Sequence, residues 1–170
     1  MVRTRAAVLE GAARSVSEYG SRHATMADIA TFGGIAKATL YNHFRRKPEV
    51  YAALISSEIR RVADECSVLA AADLGTALAF AAEQAATHPA VRRVAADEAD
   101  VLGAMLTASD DDAWSLARAG VATVLSAAGR TAHDGHVDLV LRWVASHLAA
   151  PGTPETRVGG AATLAALTLL

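Results

Sequence analysis

The stretch Thr25-Met26-Ala27-Asp28-Ile29-Ala30-Thr31-Phe32-Gly33-Gly34-Ile35-Ala36-Lys37-Ala38-Thr39-Leu40-Tyr41-Asn42-His43-Phe44-Arg45-Arg46-Lys47 decides the reading of this chain. Thr25 followed three residues later by Asp28 is a capping box, with Asp in place of the usual Glu or Gln, and it marks a helix start. Met26, Ile29 and Ala30 give that helix an apolar side. Gly33 and Gly34 are expected to end it, because glycine reaches the positive φ that closes helices. Lys37 to Phe44 then reads as a second helix, with Leu40 and Phe44 at i, i+4 for burial. Lys37, Thr39, Tyr41, Asn42 and His43 fall on other faces. They are donors, short hydroxyls and a flat ring, the groups that meet phosphates and base edges in a major groove. Arg45, Arg46 and Lys47 add positive charge, and Pro48 suits the first turn of a following helix. Two short helices about a glycine turn fit a helix-turn-helix. The same pattern also fits a polar helical hairpin, with Tyr41 as a core aromatic and His43 merely solvated.

Outward from this segment, the chain resembles the N-terminal domain of the TetR family of bacterial transcriptional regulators. The likeness begins with a helix carrying Leu9, Ala12, Ala13 and Val16, followed by Tyr19-Gly20. It runs through Ala24-Thr25, Asp28-Ile29-Ala30, Gly34-Ile35, Thr39-Leu40-Tyr41, His43-Phe44 and Lys47, into a long connecting helix over Val50 to Val62. The resemblance implies that Thr25 binds a phosphate, that Lys37, Thr39, Tyr41 and His43 face DNA, and that Lys47 holds a backbone phosphate. Two positions depart from the family pattern. Ala36 stands where a capping Ser is usual, and losing a cap costs about 1 kcal/mol. Ala38 stands where Gly is frequent, so a methyl group either limits backbone approach or touches a thymine methyl.

Composition agrees with an all-α chain. Four prolines and three phenylalanines in 170 residues, with abundant alanine, favour helix, and no alternating β-branched run predicts a sheet. The net charge of −2 conceals an asymmetry. Residues 1–62 hold ten Lys and Arg against five Asp and Glu, a net +5, whereas the remainder holds six against thirteen, a net −7. A basic head on an acidic body fits a protein that offers one end to nucleic acid. Cys66 is the single cysteine, which suits a reducing cytoplasm and a small buried apolar role rather than redox sensing. The charged N-terminus is not followed by an apolar stretch, and the uncharged run Val158 to Leu170 is shorter than the roughly 20 residues that span a bilayer, so no membrane partner is expected.

The expected organisation is a helix-turn-helix head over residues 1–47 and a helical regulatory and dimerisation domain over 48–170. In the second part, Asp73 caps a helix striped by Leu74, Leu78, Ala81 and Ala85, and His88-Pro89 breaks it. Ser109 with Asp110, Asp111 and Asp112 reads as a cap and acidic first turn for a helix striped by Trp114, Ala117, Val121, Val124 and Ala128, ended by Gly129. Asp134 is expected to cap the helix of Val137, Val140, Leu141, Val144 and Leu148, and a last helix is predicted over residues 155–169. His133, His136, Asp134 and Asp138 have metal-compatible spacing but lack a third and fourth ligand, so a polar helix start is the better reading.

The resemblance implies a ligand pocket in this domain and pairing of its last two helices, near 134–149 and 155–169, with those of a second subunit. A two-fold dimer of that kind sets its recognition helices about 34–36 Å apart, or further, on palindromic double-stranded operator DNA. Candidate pocket residues are Leu78, Met105, Trp114, Leu125 and Trp143, which favour a small, mostly apolar effector. The alternative is a dimeric DNA-binding regulator with no small-molecule effector, its body filled by side chains. No nucleophile–base pair, metal ligand set or phosphate loop supports an enzyme, and no cofactor is expected.

Overall fold

The computed structural model describes residues 2–107 and 112–168, and these form ten α-helices. The order is α1 (Val2–His23), α2 (Met26–Phe32), α3 (Lys37–His43), α4 (Lys47–Ala70), α5 (Leu74–Thr87), α6 (Pro89–Asp97), α7 (Ala99–Thr107), α8 (Asp112–Ala127), α9 (Asp134–Ala149) and α10 (Pro154–Leu167). No strand occurs among the described residues, and none of the helices is long and apolar enough to cross a membrane.

The head is α1 to α3 with the first half of α4. Val8, Ala12, Ile29, Ala30, Leu40, Phe44, Val50 and Leu54 form its core. Helix α2 starts at the predicted capping box: Thr25 Oγ1 accepts from the Asp28 amide at 3.2 Å, and Asp28 Oδ2 accepts from the Thr25 amide at 2.9 Å. It ends in a Schellman motif, with the Ile35 amide donating to Ala30 O and the Gly34 amide to Thr31 O. Only Gly34 takes positive φ (61°); Gly33 stays helical at φ −80°. Gly33 is required for a different reason, because a Cβ there would lie 2.6 Å from Ala7 O. Its counterpart on α1, Gly11, has Ile29 O at 2.3 Å from where its Cβ would stand. The two glycines let α1 and the end of α2 touch backbone to backbone.

Helix α4 belongs to both parts. Val50 and Leu54 enter the head's core, whereas Val62, Cys66 and Ala70 join the body's core with Leu74, Leu78, Leu125, Val140 and Leu164. A boundary drawn after residue 47 therefore falls at the first residue of a helix shared by both. In the body, α4 lies against α8, and α5 is the central helix, touching α4, α9 and α10.

Several local expectations need correction. His133, not Asp134, is the N-cap of α9, and it makes no side-chain cap bond. Asp138 is committed to Arg118 and Arg142. Helix α10 is capped by Thr153 with Thr156, a box not anticipated, and Arg157 is buried near its start, donating to Pro151 O and paired with Glu83. The predicted cap and acids Ser109, Asp110 and Asp111 lie outside the described residues, as does Leu169 at the end of the predicted last helix.

Candidate nucleic-acid interface and internal cavity

Helix α3 is anchored by Leu40, fully buried, and Phe44, 5% exposed and covered by the Arg5 guanidinium at 5.1 Å from the ring centroid. Anchoring that face turns the others outward. Lys37, Ala38, Tyr41 and Asn42 are exposed, and Thr39 and His43 half-buried. Tyr41 is 52% exposed, so it is not a core aromatic. Ala36 is the N-cap of α3 in extended backbone and gives no side-chain cap bond, as its missing hydroxyl requires. Arg45 and Arg46 are exposed beside the end of the helix. The Arg45 amide donates to Glu49 at 2.9 Å and Arg46 pairs with the same carboxylate, which these contacts hold below its ordinary range. The result is a short helix with a buried back and a polar, flat-ringed, cation-flanked front.

Lys47, expected at a backbone phosphate, also has partners within the chain. Its ammonium donates to Ser21 O, Arg22 O and Ala24 O at 2.9, 2.9 and 2.8 Å, using all three N–H groups on carbonyls at the end of α1. Tyr51, one turn further along α4, donates its hydroxyl to Ser21 O at 2.9 Å. Burial, with the nearby Glu98 charge, pushes that phenol up to about 12.

The segment they grip is bent. Gly20 breaks the helical run of α1 at φ 79°, ψ 166°. From the opposite side, the carboxylate of Glu98, at the joint between α6 and α7, accepts from Ser21 Oγ and from the Arg22 amide (3.0 Å). Glu98 is 4% exposed. Burial alone would raise its pKa, but the hydrogen bonds from Ser21 and Arg22 and the Arg22 charge outweigh it, and the group is held below the usual carboxylate range. Arg22 also pairs with Asp100 at the surface. Nothing in the composition of Asp97-Glu98-Ala99-Asp100 separates this buried acid from its solvated neighbours.

Behind this joint the body holds a partly open cavity of about 460 Å³, a size typical of small-molecule sites. Its wall is almost wholly apolar and comes from α4 to α9, with Val16 and Ser21 from α1. Of the predicted pocket residues, Leu78, Met105, Trp114 and Leu125 line it. Trp143 does not. That side of α9 meets α10, where the indole packs against Gly160 and lies 4.7 Å from the His147 ring. Sequence reasoning missed the polar wall. Arg61 bonds Glu58, Glu65 and Gln84 at 2.9–3.0 Å, and of these Arg61, Glu58 and Gln84 line the cavity beside His88, whose pKa is lowered by burial. Cys66 also lines it, and burial pushes the thiol up to about 11, which makes thiolate chemistry there unfavourable.

Residues 8–54 match the family model of bacterial regulatory proteins of the tetR family. The HTH-type transcriptional regulator TtgR of a Pseudomonas putida strain is 39% identical over 54 residues, which cover 32% of this chain and 26% of that protein. The probable HTH-type transcriptional regulator ArpR of Pseudomonas putida matches to the same extent. The matched segment thus spans only about a quarter of either relative. Over the longer span the fold is shared. A TetR transcriptional regulator from Rhodococcus sp. RHA1 superposes with a TM-score of 0.60 at 19% identity, covering 99% of this chain and 95% of that one. The regulator FadR from Bacillus subtilis, solved in complex with stearoyl-CoA, gives a TM-score of 0.56 at 12% identity over 96% of each chain. Residues 8–54 thus carry a tetR-family helix-turn-helix head by sequence match, and the all-helical fold along nearly the whole chain is one that solved TetR regulators share.

Proposed function

We propose that this protein is a cytoplasmic repressor that binds a palindromic operator as a homodimer and is released by a small, mostly apolar ligand. The observation that carries the reading is the pairing of an exposed polar α3 front with a largely apolar cavity in one chain. Thr25, Lys37, Ala38, Thr39, Tyr41, Asn42 and His43 make the operator contacts in this reading, with Arg45 and Arg46 adding phosphate attraction. Lys47 joins them at a backbone phosphate in this reading, from a position that also holds the end of α1. The cavity of about 460 Å³ favours an effector over a body closed by its own side chains. The bound stearoyl-CoA belongs to the Bacillus subtilis FadR structure; for this chain it supports only the compatibility of the fold with an apolar ligand.

Dimerisation is assigned to α9 and α10. Leu139 on α9 and Val158 and Leu167 on α10 are 44–60% exposed, and Gly159 has open space over it. A two-fold pairing of these helices would cover apolar groups otherwise left in water. A ligand can release DNA only by favouring a dimer whose heads no longer fit the operator.

The test is a screen of apolar small molecules read as a rise in melting temperature, followed by a mobility shift on an operator selected from random duplexes. A molecule that raises the melting temperature and dissolves the complex supports the reading. Stable operator binding with no thermal response to any molecule supports a regulator without an effector instead.

A further inference from the structure

We propose that Glu98 is a latch through which the state of the cavity sets the position of the DNA-binding head, an inference that rests on the ligand-responsive reading above. The cavity wall includes Val94 on α6 and Val101 and Leu102 on α7, so it flanks Glu98 on both sides. The backbone at Glu98, φ −136° and ψ 48°, is the joint between these helices, so displacing either one moves the carboxylate. The carboxylate is buried and holds the Ser21 hydroxyl and the Arg22 amide. A buried carboxylate must keep such donors, so the bend in α1 follows Glu98 rather than parting from it.

The bend is built for this contact. A Cβ on Gly20 would lie 2.5 Å from Glu98 Oε1, and the positive φ at Gly20 turns the next two residues toward the carboxylate. Lys47 and Tyr51 hold the carbonyls of the same segment from α4. Ser21 is therefore gripped by both parts at once, its hydroxyl by the body and its carbonyl by the head's long helix. Thr25, the N-cap of α2, follows four residues later. A shift at Ser21 is thus passed directly to the start of the helix-turn-helix.

Hydrogen exchange on the full chain tests the latch without DNA or a known effector. Leu102→Phe adds volume to the cavity wall on α7, and Glu98→Ala removes the carboxylate. Each is expected to speed amide exchange across residues 20–25 about tenfold, and the double variant no more than either alone, because both act through one contact. Multiplied effects in the double variant, or unaltered exchange at residues 20–25 in Leu102→Phe, would overturn the proposal. Should Glu98→Ala fail to fold by circular dichroism, Ser21→Ala removes a single donor and enters the same cycle, with the same two results deciding. Because no DNA is present, failure here is separate from failure of the operator-binding reading, which the mobility shift judges.

Discussion

The head and the body of this protein are both helical, yet they reach close packing by opposite means. The head is tight. Gly11 and Gly33 bring two backbones into contact, three N–H groups of Lys47 are spent on carbonyls, and a capping box and a Schellman motif close both ends of α2. The body is loose. Six of its helices stand around a cavity. A rigid element that must present α3 in one orientation is thus carried by a domain with room to rearrange. Interiors resist small volume changes where they are filled and yield where they are not, so this contrast separates the part that reads from the part that responds.

The contrast can be broken most severely at Gly11. Gly11→Ala is expected to destabilise the head by about 3 kcal/mol through backbone overpacking, measured by urea unfolding. The same change at Gly103 in the body should be neutral or stabilise by up to about 1 kcal/mol through helix propensity. Equal effects at the two sites would remove the distinction.

Lys47→Ala comes next. It leaves three carbonyls without their donor and is expected to cost about 2 kcal/mol of stability in the absence of DNA. If Lys47 served only a phosphate, its removal would leave stability unchanged and reduce the salt dependence of DNA binding.

The third prediction concerns pH. The folded pKa of Glu98 is lowered from 4.5, so its contribution is complete above the unfolded value and is lost as pH falls through the folded one. The stability gap between wild type and Glu98→Gln should therefore be constant from about pH 6 to 8 and narrow below about pH 4.5. A gap that widens on acidification would contradict the assignment.

The smallest change sharpens the head instead. Ala36→Ser supplies the missing cap of α3, whose N-cap backbone is already extended at φ −68°, ψ 141°. A gain of about 1 kcal/mol in thermal or urea unfolding is expected.

These regions also differ in how far the sequence announces them. The head's signals are local. Thr25 and Asp28 lie three residues apart, Gly34 turns the chain, and Leu40 and Phe44 mark one face, so residue spacing alone places the helices and the polar front of α3. The body's stripes locate α5, α8 and α9 for the same reason. The cavity is only partly legible, because its wall is assembled from six helices, and Arg61, Glu58 and Gln84 look like solvated surface when read along one helix. The stripe of α9 does not settle where Trp143 packs, because it shows that a side is buried, not whether a cavity or α10 covers it. The roles of Glu98 and Lys47 are not legible at all: their partners lie 76 and 23–26 residues away, and no periodicity encodes them.

The most direct test of the central claim is a mobility shift with an operator selected from random duplexes, at about 150 mM salt with excess nonspecific competitor. Tyr41→Ala is the decisive variant, because Tyr41 is exposed and its loss should change stability by less than about 0.5 kcal/mol. The account predicts a discrete complex for the wild type and its loss, at unchanged melting temperature, for Tyr41→Ala. Equal, weak and salt-sensitive binding by both proteins would contradict the assignment of the α3 front as the DNA-reading surface.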